Sequence, residues 1–137
     1  MKFAQLSSVL MMLAAPSQAA EGGVVEKPIL ATSATAIGQP LVLSLTDPQV
    51  NVSVYEIAPG TVLPEHRHMY PRYGYVLSGK LRVTYTATGR SDLYGPGAFV
   101  IEAVGQWHTG KAEGSAPVKL LVIDQVEKGQ KNIEVRK

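Results

Sequence analysis

GTVLPEHRHMYPRYGYVLSG, residues 60–79, carries two histidines, His66 and His68, separated by a single arginine. The pair stands between the tight turn Pro59-Gly60 and the alternating run Arg72 to Leu77. On a strand, residues two apart point to the same face, so the spacing aims both imidazoles at one point. The chain has 3 histidines in all, and the third is His108. This pattern predicts a metal site inside a small β-barrel.

Working outward, the flanking sequence reads as strands. Val52 to Ile57 alternates with period two, as a half-buried strand does. Leu41 to Leu45 reads as an earlier strand, with Thr46-Asp47-Pro48 as the turn between them. Val24-Val25 and Ile29-Leu30 read as short edge strands interrupted by Pro28. Downstream, Lys80 to Tyr85 alternates, Thr86 to Arg90 forms a hairpin loop, and Ser91 to Tyr94 returns. Gly95-Pro96-Gly97 turns the chain into Ala98 to Ile101, and Val118 to Ile123 is a long strand. No run has helical periodicity. Many short strands at regular spacing define an all-β sandwich or barrel.

The 137 residues make one domain, and 45% hydrophobic with 18% charged residues supports an ordinary core. Net charge is +2 with scattered basic residues, so Lys80, Arg82 and Arg90 read as a solvated strand and turn, and no nucleic-acid partner is expected. Lys2, the apolar run Phe3 to Ala15 and Ser17-Gln18-Ala19 have the layout of a cleavable signal peptide over 1–19. The apolar run is shorter than the ~20 residues a membrane span needs; an uncleaved anchor is the alternative. The expectation is a periplasmic or secreted protein with no membrane attachment after cleavage. The cysteine count is 0, which excludes structural disulfides. Residues 20–39 then form an N-terminal arm, 40–126 the domain, and 127–137 a polar tail that either covers a barrel edge or stays loose.

The histidine stretch resembles the first signature of the cupins: Gly60, five residues, His66, His68 and a closing Gly79. The second signature is matched by Gly97, Ala103-Val104-Gly105 and His108, with Ala103 and Ala112 in place of the family's proline and asparagine. The resemblance implies a small jelly-roll β-barrel, the double-stranded β-helix, with a divalent metal held by His66, His68 and His108. Fe, Zn, Cu, Ni and Mn all stay open as its identity; a nitrogen-only site would favour Cu or Zn. Cupins host oxygenases, isomerases, lyases and non-catalytic binding proteins, so the resemblance leaves enzyme and binding module both open.

One position departs from the signature. The usual glutamate is Arg72, which cannot ligate a metal because its guanidinium stays protonated. In the glutamate's orientation it points into the barrel, with Gly74 and Val76 on the same face and Tyr73, Tyr75 and Leu77 on the other. Arg72 would then anchor the anionic group of a small organic ligand; the alternative is that it pairs with an acid such as Glu65, Glu56 or Glu102, or points outward. Tyr70 and Tyr73 are candidate phenol donors to the pocket, against a packing role for both. Glu65 and Glu102 are the acids nearest the site in sequence, with surface exposure as their default. The outward Tyr73/Tyr75/Leu77 face is a candidate homodimer contact.

Overall fold

Nine strands build the molecule, seen in a computed structural model that describes residues 23–137. They are β1 Pro48–Ile57, β2 His66–Arg67, β3 Arg72–Ser78, β4 Lys80–Tyr85, β5 Ser91–Tyr94, β6 Phe99–Ile101, β7 His108–Glu113, β8 Val118–Glu127 and β9 Glu134–Val135. They form a four-stranded sheet, β1-β8-β3-β6, and a five-stranded sheet, β5-β4-β7-β2-β9, with antiparallel pairing throughout both. This is the all-β, double-stranded β-helix architecture expected of the sequence. The expected signal peptide over 1–19 lies outside the described residues.

Period-two alternation builds the core. β4 buries Leu81, Val83 and Tyr85, and β8 buries Val118, Leu120, Val122 and Val126. Ile57, Val76 and Ala112 join them between the sheets. β3 turns Arg72, Gly74 and Val76 inward. The β3–β4 connection needs a glycine: Gly79 has φ +77, and a Cβ there would collide with the Pro117 carbonyl and approach Val118 Cα to 2.8 Å.

The N-terminal part differs from the sequence reading. Leu41 to Leu45 forms no strand, nor do Val24-Val25 and Ile29-Leu30; one isolated bridge, Ala34 to Pro40, is all the pairing there. The run Leu41 to Leu45 joins neither sheet: β1 pairs with β8 along one edge over its whole length, and its other edge stays unpaired among the described residues. β1 also begins earlier than expected, with Pro48 as its first residue, a position where a missing N–H costs no ladder bond.

The tail is integrated into the barrel. Val135 and Glu134 pair with His66 and Arg67. Arg136 donates to Glu65 at 2.9 Å, Arg67 to Glu134 at 2.8 Å, and both guanidinium groups lie over the Trp107 ring.

Candidate metal centre

The site forms where β2, β7 and the end of β6 converge. His66 and His108 are direct cross-strand partners on β2 and β7, and His68 is bridged to Val104 just past β6. The ring centroids lie 5.1 Å (His66–His68), 4.4 Å (His66–His108) and 5.0 Å (His68–His108) apart. Glu102 enters the same space between β6 and β7. The four residues are buried, and each brings one ligand atom to within 4.8 Å of the others.

Each ring has its tautomer set by the backbone. Nδ1–H of His66 donates to the Pro64 carbonyl at 2.7 Å, that of His68 to Asn132 at 2.7 Å, and that of His108 to Gln106 at 2.9 Å. A carbonyl can only accept, so each Nδ1 carries the proton and each neutral ring keeps a lone pair on Nε2. Glu102 Oε2 sits 2.8 Å from His68 Nε2 and 3.1 Å from His108 Nε2. Acceptors packed this closely in a buried space require a cation between them, a proton or a metal ion. The donor set therefore fits a divalent metal: three imidazole nitrogens and one carboxylate, with backbone carbonyls orienting the rings.

The electrostatics describe the cluster with a proton, rather than a metal, as that cation. Burial pushes His66 down to about 4, which keeps it neutral and ready to ligate. Burial also opposes charge on His108, but the Glu102 carboxylate outweighs it and raises the pKa. Burial disfavours ionised Glu102, yet hydrogen bonds and positive charge from His108 and His68 hold its carboxyl well below the usual range.

Glu102 was not expected as a ligand, and it corrects the reading of three neutral donors without charge compensation. Its signal in the sequence is that it is the single acid in the apolar run Ala98 to Val104. Gly74 lies beside it on β3, where a Cβ would press on Val100 Cγ1 at 3.1 Å while leaving Glu102 Oε1 at an ordinary 4.0 Å. The turn after Glu102 is braced by Gln39, whose amide makes two 2.9 Å hydrogen bonds with the backbone of Val104.

Arg72 is buried and faces inward, but its partner is none of Glu65, Glu56 and Glu102. It forks onto Asp124 of β8, and Asn132 Nδ2 donates to the same carboxylate at 2.7 Å. Glu65 instead pairs with Arg136. The two tyrosines do not join the cluster. Tyr73 lies on the outer face of β3 against Phe99, with ring centroids 6.4 Å apart. Tyr70 lines a separate hollow with Met69 and the 40–45 segment. The tyrosine nearest the histidines is Tyr85, whose ring centroid lies 5.7 Å from that of His108. Its hydroxyl is enclosed and unpartnered among the described residues, and burial raises its pKa, so it stays a neutral phenol.

A cavity of about 30 Å³ adjoins the cluster, lined by His66, His108, Glu102 and Arg72. It shares Tyr55, Ile57, Leu63, His66 and Arg72 with an outer cavity of about 350 Å³.

Comparison with known proteins agrees with this architecture. The cupin domain family matches residues 53–124, more than half of the chain, and the chain belongs to that family. No curated protein matches the sequence. Among solved structures, the polyketide cyclase RemF from Streptomyces resistomycificus is similar with a TM-score of 0.55 at 22% identity, over 67% of this chain and 63% of that one. A Klebsiella pneumoniae protein with a double-stranded β-helix domain has a TM-score of 0.52 at 20% identity, over 71% and 90%. The DMSP lyase DddQ from Ruegeria pomeroyi has a TM-score of 0.55 at 19% identity, over 72% and 46%. The chain thus spans less than two thirds of the cyclase and under half of the lyase. At these identities the likeness is one of fold.

Proposed function

We propose that this chain is an exported cupin that holds a divalent metal through His66, His68, His108 and Glu102 and acts on, or binds, a small anionic organic molecule. The observation that carries the reading is the convergence of three Nε2 lone pairs and a carboxylate, with every Nδ1 proton engaged by a backbone carbonyl. A metal bound there supplies Lewis-acid polarisation of an oxygen, or redox chemistry with dioxygen if it is iron. Arg72 holds the anionic group of the ligand, and the enclosed position of the donors excludes bulk water. Export is supported by the residue pattern of 1–19 alone.

A binding module without turnover is the second reading, and one feature favours it. Apart from the four ligands, the titratable groups lining the two cavities are Tyr55, Glu56 and Arg72. Glu56 is tied to Lys119 at 3.0 Å, which leaves few groups to move a proton. The carboxylate also reopens the choice of metal, since an oxygen donor beside three nitrogens suits Fe or Mn as well as Zn or Cu. As a partner, a second copy of the chain would meet the outer face of the four-stranded sheet, where Val50, Val52, Val54 and Leu77 are exposed beside Tyr73 and Tyr75; a monomer by sedimentation at micromolar concentration removes that part.

The test is elemental analysis of the purified mature protein. About one metal per chain is expected, falling well below that in His66→Ala and in Glu102→Gln. Metal-free protein that stays metal-free after dialysis against Zn, Fe, Mn and Cu salts would overturn the reading.

A further inference from the structure

The wall of the outer cavity is built partly from the C-terminal segment, and that segment is chemically uneven. Between Glu127 and Lys137 the apolar residues are Ile133 and Val135, and both line this cavity. They are 45% and 49% exposed and share the cavity lining with Ile57 and Leu63. A tail needed for edge cover alone has no use for apolar side chains there; a ligand with an apolar body does.

The polar end of the cavity is equally defined. Asp124 occupies Nε and Nη2 of Arg72, each at 2.8 Å, and Nη1 makes no hydrogen bond among the described residues. Tyr85 Oη is the one enclosed side-chain polar atom without a partner there, so Nη1 keeps accessible surface, and Arg72 lines both cavities. The inner space of about 30 Å³ admits little more than a pair of water-sized groups. A ligand therefore enters head first, with a small oxygen head inside and its body in the mouth.

Charge fixes the valence of that head. The interior holds two carboxylates, Glu102 and Asp124, against one guanidinium, Arg72. A divalent cation at the histidines brings the sum to one positive charge, which a monoanion cancels. A dianion leaves a net negative charge in a low-dielectric space, where it is costly.

We infer that the site selects hydrophobic monocarboxylates, with the carboxylate between the metal and Arg72 Nη1 and the apolar body between β1 and the Ile133/Val135 wall. The inference rests on the proposed metal-and-anion reading and adds the ligand class and the residues that choose it. It is tested by calorimetric titration of the zinc-loaded mature protein with acetate, hexanoate, phenylacetate and malonate. Hexanoate and phenylacetate are expected to bind about tenfold or more tighter than acetate, from burial of their apolar surface, and malonate more weakly than either. In Ile133→Ser/Val135→Ser, at unchanged zinc content, the preference for hexanoate over acetate falls to near unity. Ile133→Trp, which narrows the mouth, loses hexanoate and keeps acetate. Malonate binding as tightly as hexanoate, or an unchanged preference in the serine variant, overturns this inference and leaves the metal-and-anion reading standing. Failure of every acid to bind overturns the anionic-ligand reading as well, and failure of Zn, Fe, Mn and Cu alike to load overturns the metal reading beneath both.

Discussion

Arg72 and Asp124 face each other as direct cross-strand partners on β3 and β8 and are joined by two parallel contacts of 2.8 Å, Nε to Oδ1 and Nη2 to Oδ2. The pair is buried on the inward face, where β8 otherwise places valine and leucine. Burial opposes the charge on Arg72, but the Asp124 hydrogen bonds and nearby carboxylates raise its pKa further, so it stays a cation at any working pH. A buried pair of this kind stabilises little against an apolar replacement but is expensive to break.

Arg72→Met is accordingly expected to cost about 3–5 kcal/mol, because it strands the Asp124 carboxylate. Arg72→Met/Asp124→Leu recovers most of that loss. Urea unfolding of the two single variants and the double variant gives the comparison; a double variant no better than the singles would show that the pair itself holds the sheet together.

Asn132 serves three groups. Its carbonyl fixes the His68 tautomer, and its side chain donates to Asp124 and accepts from the Tyr70 amide at 2.8 Å. Asn132→Ala frees the 132 backbone to move and is expected to weaken metal binding by about 10–100-fold, as loss of an outer hydrogen-bond partner does. Competition with a chelator of known affinity measures it.

The histidine site was legible because its information is local: two residues on one strand face, and a third in a registered second motif. Glu102, Asp124 and Asn132 were not, because their roles come from neighbours distant in sequence. Arg72 and Asp124 are 52 positions apart, and the β3–β8 register alone makes them partners. For Glu102 and Asp124 a general clue was available, a lone acid inside an apolar run, AFVIEAV and LLVIDQV; Asn132, in a polar stretch, offered none. Leu41 to Leu45 misled for the opposite reason. Its apolar pattern is real, but a strand also needs a partner strand, and pattern does not report whether one pairs with it.

Glu127 provides a pH prediction away from the metal. Its carboxylate accepts hydrogen bonds from the backbone N–H groups of Thr46 and Asp47, and these hold its pKa below the usual value. A depressed folded pKa means stabilisation present above the ordinary carboxylate range and lost as pH falls through the folded value. The Thr46 and Asp47 amide proton resonances should therefore titrate together with a midpoint below 4.5. Glu127→Gln should flatten both curves.

Gly79→Ala is predicted to be poorly tolerated. The left-handed backbone alone costs about 1–2 kcal/mol for a residue with a Cβ, and the added methyl meets backbone atoms of Pro117 and Val118 that cannot swing away. Thermal unfolding of Gly79→Ala beside Gly89→Ala, where φ is +69 but nothing lies within 4 Å, separates the clash from the conformational cost.

The position of Asn132 also orders events in time. Every metal ligand precedes it in the chain, the last being His108, and β8 ends at Glu127. A nascent chain that has emerged only as far as β8 carries all four ligands but lacks the carbonyl that turns His68 toward them. Residues 128–132 thus complete the His68 orientation from beyond the last long strand. A centre that holds metal would have its full donor geometry only with the chain beyond β8 in place.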